Sequence, residues 1–460
     1  MNAQNEQIKF PNRHQNGPAL LYIDDRPNEG VFRVHRDIYT DPALFELEMK
    51  LIFERTWNYL ALESEIRHPH DFVTRYIGRT PVIVSRGAKG EIGAFINACR
   101  HKGATVCRME SGNTRYHVCP YHGWAYDSSG KNVDIKDRKS GCYAAAFDAE
   151  NHDLIPVARI ASYKGMIFAS LSADVPELDE HLGELKFFLD LHMDQSPQGM
   201  EVIPGRAWYS YRGNWKMQAE NGNDPYHETS THGCFAAIQE RRLKGLGNVE
   251  GRQVDWKKRA AADSGTFELG SGHSSVWINC LEPEKRALYP MLDEVRQRVG
   301  PVKADWMLKQ RNAVCFPNLQ IADHVVPQLR VIRPVAVDLT ELRSYVLAPI
   351  GEAAASRAAR LRQFEDFINP CGFATPDDVT MFGESQKALA ATGIEWLQAH
   401  ARGIAALPDG SRGLDGAMGI NALAAVRGEF EMQPETATHA FYREWSRRMQ
   451  PGLLSANGSP

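Results

Sequence analysis

No run of this sequence stays apolar for the roughly 20 residues that a membrane-crossing helix needs. The first residues, Met1 to Arg13, are polar and lack the apolar stretch of a secretory signal. These two absences predict a soluble, cytoplasmic chain. Cysteine is scarce: eight in 460 residues, far below the density of a disulfide-stapled scaffold. A surplus of positive charge is missing too. The 53 Lys and Arg are outnumbered by 57 Asp and Glu, for a net charge of −4, so neither nucleic acid nor an anionic membrane is expected as a partner. There is no internal repeat, no low-complexity tract and no Gly-rich dinucleotide fingerprint.

What remains is an ordinary globular composition, 43% hydrophobic and 24% charged. The length predicts two or three domains. Residues 1–38 show little periodicity and read as an arm. Residues 42–56 read as a helix, with Asp41 as its cap and Pro42 in its first turn. Leu44, Phe45, Met49, Ile52 and Phe53 form its apolar stripe. From 57 to 172 the texture is short strands. Val82–Arg86 and Ile92–Asn97 flank a turn, Tyr116–Cys119 and Trp124–Tyr126 flank another, and Val157–Ser162 and Met166–Ser170 follow. Pro176 and the charged Glu177–Glu184 mark a boundary. Beyond it Ala207–Tyr211, Leu329–Ile332 and Leu342–Leu347 read as strands, 215–240 and 353–367 as helices, and Pro451–Pro460 as a loose tail. The expected division is 1–56, arm and helix packing on the third part; 57–172, a small all-β domain; and 173–460, a larger α+β domain with an antiparallel sheet and surrounding helices.

Cys99-Arg-His101 and, 17 residues on, Cys119-Pro-Tyr-His122 are two ligand pairs on two hairpin tips. Each pair mixes one Cys with one His. Thiolates suit one iron of a [2Fe–2S] cluster and neutral imidazoles the other, and the exchange of two thiolates for imidazoles raises the potential. Gly103 and Gly123 let backbone approach the sulfurs closely, and Trp124 can shield them. A structural zinc is the rival, since two Cys and two His suit it, but zinc sites more often pair Cys-x-x-Cys with His-x-x-x-His. The other six cysteines, Cys107, Cys142, Cys234, Cys280, Cys315 and Cys371, read as small buried hydrophobes. Cys99-x-His101 with Cys119-x-x-His122 resembles the Rieske domain of ring-hydroxylating oxygenases.

Downstream, Asn214-Trp215-Lys216 precedes Glu220-Asn221-Gly222-Asn223-Asp224-Pro225-Tyr226-His227, and His232 follows. His227 and His232 are five apart, which is not one face of a regular helix. A distorted turn at Pro225 and Gly233 would be needed to bring them to one metal. Two His and one carboxylate make the facial triad of non-haem Fe(II) oxygenases, with positions left open for dioxygen; two unrelated His are the alternative. The resemblance supplies the carboxylate. Gly372 to Asp378 is similar to the family's third-ligand segment, where the second of two adjacent Asp binds iron. That implies Asp378, with Asp377 as the fallback. By the same resemblance Asp224 links His227 to His122 of a neighbouring subunit, a carboxylate orienting a ligating imidazole.

The resemblance spans about residues 26–390. Leu44 to Lys50, Tyr76 to Arg79, Asp194 to Pro197 and Phe364 to Phe367 are similar to benzoate and anthranilate 1,2-dioxygenase large subunits. Arg26-Pro27-Asn28 and Asp71-Phe72-Val73 lean to the anthranilate type. Pro225 replaces the usual Gly, and Gly233-Cys234-Phe235 departs from the usual residues after the second His, which implies a reshaped substrate pocket. Arg330 and Arg333 alternate with apolar residues in one strand; an Arg would anchor a carboxylate substrate, but both read as structural, in ion pairs or at interfaces.

The resemblance implies the terminal component of an aromatic-ring dioxygenase (EC 1.14.12 type). It would dihydroxylate an aromatic carboxylate such as benzoate or anthranilate with O2. Electrons would come from NADH through a separate reductase, with or without a ferredoxin, since this chain lacks a dinucleotide fingerprint. The implied cofactors are a Rieske [2Fe–2S] cluster and mononuclear non-haem Fe(II). The implied assembly is a trimer of alpha subunits, alone or with three small beta subunits. The alternatives are a monohydroxylase or demethylase on the same scaffold, of salicylate or aniline type, and a Rieske electron carrier without chemistry of its own.

Overall fold

The computed structural model describes residues 22–457 except 206, 236, 239–240, 242–255 and 325. Two compact units emerge. One is Phe53–His181; the other joins the residues up to Ile52 with those from Leu182 onwards. The small unit is thus inserted into the sequence of the large one. The fold class is α+β, a β-rich unit and a sheet-and-helix unit.

The Phe53–His181 unit is built of three small sheets. The first orders Ile92–Ile96, Thr80–Arg86, Asp71–Ile77 and Ser111–Asn113; the second Arg159–Tyr163, Met166–Ser170 and Asn58–Leu62; the third Asn132–Asp134, Ala125–Asp127 and Tyr116–Val118. Every pairing is antiparallel. Alternation along these strands sends Val73, Ile77, Val82 and Val84 into one core with Leu60 and Ile167. A second core gathers Phe72, Ile83, Trp124 and Tyr126 around Cys99 and Cys119.

The large unit is organised on a nine-stranded antiparallel sheet. Edge to edge it runs Met200–Val202, Leu339–Pro349, Gln328–Ala336, Leu319–Asp323, Gln310–Cys315, His273–Ile278, Asp263–Gly270 and Ala424–Glu429, and Ala207–Tyr211 also pairs with Leu339–Pro349. The Asp263–Gly270 and His273–Ile278 strands meet at a two-residue turn, Ser271-Gly272, with both φ positive. Gly is needed at the second position: a Cβ there would sit 2.9 Å from Phe316 and from Glu444.

Helix Pro42–Glu48 starts where Asp41 accepts from the backbone of Ala43 at 2.7 Å, and it continues as a π-turn to Phe53. Its Glu48 is fully buried. The carboxylate accepts from Lys216 Nζ at 2.6 Å, Trp215 Nε1 at 2.7 Å and Trp445 Nε1 at 2.6 Å. One carboxylate therefore ties an N-terminal helix, the Trp215–Asn221 helix and the Ala437–Asn457 helix together. Removing one partner of such a buried pair costs about 3–5 kcal/mol.

Four sequence expectations are corrected. The arm is not featureless: Ile23–Arg26 and Val31–His35 pair as a hairpin, because Phe32 and Val34 bury completely. The predicted 215–240 helix breaks into Trp215–Asn221 and Glu228–Thr231 at Gly222 to Pro225, and part of it lies outside the described residues. The 353–367 helix is present as Ala354–Gln363 continued by a π-turn, Phe364–Ile368, but of the six cysteines read as buried hydrophobes Cys142, Cys234 and Cys371 are exposed. The tail is helical to Asn457 despite Pro451, because Leu453 is buried and Gly452 packs on Leu47 and Leu51.

Candidate metal centres

In the small unit the two Cys/His pairs sit on matching turns. Cys99 N–H donates to Ala104 O at 2.8 Å and Gly103 N–H to Cys99 O at 2.9 Å. Cys119 N–H donates to Trp124 O at 2.8 Å and Gly123 N–H to Cys119 O at 3.0 Å. Gly103 and Gly123 close these turns at φ 73° and 76°, a region that favours glycine. Cys99 and Cys119 are buried while His101 faces outward. The His101 and His122 rings stand 4.4 Å apart, and Trp124 stacks on His101. Tyr126 hydroxyl lies 3.3 Å from Cys99 Sγ and accepts from Arg100 N–H at 3.1 Å.

Among the described residues only one group of three or more His, Cys, Asp or Glu brings its donor atoms within 4.8 Å of one another, and it is not this one. Two Cys and two His around a single tetrahedral zinc would be that close. Inward sulfurs and outward imidazoles, spread over two turns, fit a two-iron cluster.

The compact group is His227, His232 and Asp378, in the large unit. Asn214 caps the Trp215–Asn221 helix. The helix stops at Gly222, whose carbonyl accepts from Asn312 Nδ2 at 2.8 Å, and Asn223 donates to Ser274 Oγ at 2.6 Å. A Cβ on Gly222 would collide with Gln320. The sheet thus holds the chain out of helix from Gly222 until Glu228. Asp224 then accepts from Tyr226 N–H at 2.7 Å, and a single helical turn, Glu228–Thr231, follows. His227 and His232 flank that turn, one at each end, with ring centroids 5.1 Å apart. Their spacing of five is resolved by a short helix between them rather than by a shared helical face.

Asp378 lies in the first turn of helix Thr375–Ala388 and is buried. Its Oδ1 is 3.5 Å from His227 Nε2 and 3.3 Å from His232 Nε2. Asp377 takes another direction: its Oδ2 accepts from Cys234 Sγ at 3.5 Å and lies 3.8 Å from His232 Nδ1. The geometry therefore separates the two adjacent aspartates. Burial opposes ionisation of Asp378, but the His232 contact and the charges of His227 and Arg330 hold its carboxyl below the ordinary range. For His227 burial works against protonation, and the Asp224 bond with the charges of Asp378 and Glu228 outweighs it. One carboxylate facing two Nε2 atoms is the His-His-Asp arrangement that suits mononuclear iron.

The family signature described as Rieske [2Fe-2S] domain matches residues 56–159. That described as ring hydroxylating alpha subunit (catalytic domain) matches 199–451. The chain belongs to the Rieske aromatic ring-hydroxylating dioxygenase alpha subunits. It is similar to toluate 1,2-dioxygenase subunit alpha of Pseudomonas putida, 42% identical over 96% of this chain and 98% of that one. It is also 42% identical to the anthranilate 1,2-dioxygenase large subunit of Acinetobacter baylyi, over 81% of each. Among solved structures it superposes on naphthalene 1,2-dioxygenase from Rhodococcus sp. bound to indole with a TM-score of 0.74 and 25% identity, over 93% of this chain and 95% of that one. This alpha subunit is of the benzoate, toluate and anthranilate type, and its cofactors are a Rieske [2Fe–2S] cluster and a mononuclear iron. No helix among the described residues is long and apolar enough to cross a membrane.

Two residues in the alpha subunit's sites carried no role in the sequence reading. Asn221 Nδ2 donates to Asp378 Oδ1 at 3.2 Å and lies 3.2 Å from His227 Nε2. Its position in Glu220-Asn221, six before His227, was the only signal. Tyr126 on Cys99 had none, since it lies 27 residues away. Beside His232 stand Phe235 and Phe367, with ring centroids 4.5 Å apart. The departure at Gly233-Cys234-Phe235 thus falls next to the His-His-Asp group.

Proposed function

We propose that this chain is the terminal oxygenase component that dihydroxylates the ring of an aromatic carboxylate of the benzoate, toluate or anthranilate class. The single observation behind this reading is the pairing of His227 and His232 on Asp378 with Asp224 on the outer nitrogen of His227. When loaded, the two metal centres supply stored electrons and the activation of dioxygen. In this reading Cys99 and Cys119 hold one iron of the cluster, His101 and His122 the other, and His227, His232 and Asp378 the mononuclear iron. Asp224 orients His227 and couples it to His122 of a neighbouring subunit. Asn221 keeps Asp378 Oδ1 and His227 Nε2 in register. The aromatic rings of Phe235 and Phe367 exclude water beside the site.

An electron path across subunits makes oligomerisation obligatory, as a trimer of alpha subunits with or without small beta subunits. Relatives are named as alpha or large subunits of dioxygenases, which fits a small subunit and a separate NADH-dependent reductase as partners, in the cytoplasm.

The test is a panel of benzoate, toluates, anthranilate and salicylate, with turnover coupled to dioxygen uptake and ¹⁸O-labelled dioxygen. A cis-diol, or the catechol formed from it, with both oxygens from one dioxygen molecule is expected. Incorporation of a single oxygen atom would make the chain a monohydroxylase or demethylase instead. A mononuclear iron content of zero would return it to an electron carrier.

A further inference from the structure

The two arginines of strand Gln328–Ala336 part company in the fold. Arg333 pairs with Glu341 at 2.5 Å, the structural role expected of both. Arg330 is 8% exposed, and among the described residues no hydrogen bond or close ion pair engages its guanidinium. None of its nitrogens is among the buried polar atoms left without a partner, so the guanidinium keeps an open side.

Register shows where it faces. Arg330 stands opposite Gln320 on one neighbouring strand and Ser344 on the other. Residues directly opposite in an antiparallel pair share a face. Gln320 accepts from Gln218 of the Trp215–Asn221 helix at 2.9 Å, so this is the sheet face that carries the approach to His227. Arg330 is near enough to the centre for its charge to act on Asp378 and on Tyr209. The surroundings are rich in donors. Gln320 Nε2 and Gln328 Nε2 are buried without acceptors, and Gln328 shares the face, two residues before Arg330.

An open guanidinium without a hydrogen-bonded partner, on one face with unsatisfied amide donors, suits an anion. We infer that Arg330 binds the carboxylate of the aromatic substrate and so selects ring acids over neutral rings at the iron centre. This rests on the reading of the substrate as an aromatic carboxylate. The planar fork of Arg matches a carboxylate with two parallel hydrogen bonds, which a Lys cannot reproduce.

The experiment compares wild type, Arg330→Gln and Arg330→Lys holo-oxygenase, each with its reductase, on benzoate, anthranilate and the neutral isosteres benzamide and methyl benzoate. Equilibrium binding of the same compounds is measured by calorimetry. Wild type is expected to favour the acids. In Arg330→Gln the ratio of kcat/KM for acid to that for amide falls about 10- to 150-fold, the size of a lost charged hydrogen bond, chiefly through KM. Arg330→Lys falls between. Mononuclear iron content and the Rieske absorption report on folding. If Arg330→Gln does not load iron, the Arg330→Lys ratio decides alone. A wild-type preference for acids that survives both substitutions overturns the anchor and leaves the substrate reading standing. A wild type that turns over neutral rings and no acid overturns the substrate reading, and the anchor with it.

Discussion

Asp224 accepts a hydrogen bond from Nδ1 of His227 at 3.1 Å, and that bond decides which nitrogen of the ring is free. With the proton on Nδ1, Nε2 keeps its lone pair toward Asp378, 3.5 Å away. Orientation and tautomer are set together by one carboxylate three residues upstream.

Replacing Asp224 by Asn keeps the size and removes the charge. The variant is expected to retain mononuclear iron and an unchanged Rieske spectrum while steady turnover falls by at least about 10- to 100-fold. Rapid-mixing oxidation of the reduced cluster in the presence of substrate and dioxygen checks it. Normal turnover would end the coupling role.

The two aspartates of the Thr375–Ala388 helix give a paired prediction. Asp378→Ala removes the oxygen that both His Nε2 atoms face, so mononuclear iron is lost and the Rieske absorption stays. Asp377→Ala, which alters only the contacts to Cys234 and His232 Nδ1, keeps its iron. Metal analysis by mass spectrometry distinguishes them, and full iron in Asp378→Ala would refute the assignment.

Tyr126 offers its hydroxyl to Cys99 Sγ at 3.3 Å. Hydrogen bonds to ligating sulfurs stabilise the reduced, more negative cluster. Tyr126→Phe should shift the cluster potential negative by roughly 40 mV, the equivalent of about 1 kcal/mol for one electron. Redox titration followed by circular dichroism measures the shift; an unchanged potential would mean that the hydroxyl does not reach the sulfur.

Glu220 gives a pH prediction. Burial raises its carboxyl to about 7, against hydrogen bonds from Tyr442 and Tyr39 that work the other way. The folded chain therefore keeps a proton that the unfolded chain releases above the ordinary value of 4.5. Its contribution is fully present below about 4.5 and is lost as pH rises towards 7. Glu220→Gln removes this slope, so wild type should lose more stability than the variant between pH 5 and pH 8. Urea midpoints at the two values test it, and parallel losses would exclude Glu220 as the source.

The Rieske signature was legible because each ligand pair sits within four residues on one turn, so spacing in sequence is close to spacing in space. The His-His-Asp group was legible only in part. Five residues between two His says nothing of geometry until Gly222 and Pro225 are seen to interrupt the helix and leave a single turn between them. Asp378 lies 151 residues beyond His227, a distance that no local pattern bridges. Resemblance placed it there, and the fold separates it from Asp377 by direction alone. Arg330 and Arg333 look alike along the strand, and only cross-strand register divides the paired one from the unpaired. The tail failed for the opposite reason: Pro451 argued for loose chain, and the packing of Leu453 and Gly452 overrode it.

Glu48 has a consequence for the order of events during synthesis. Its partners Trp215 and Trp445 lie 167 and 397 residues later. The Phe53–His181 unit closes its own cores within its own stretch of sequence, and can assemble while the ribosome is still at work. The host unit cannot. Until residue 445 has emerged, a carboxylate and a lysine destined for the interior wait in a nascent chain without their full set of partners, and the segment that presents His227 has no finished anchor. Loading of the mononuclear iron should therefore be a late, post-translational event, whereas the [2Fe–2S] domain is ready for its cluster much earlier.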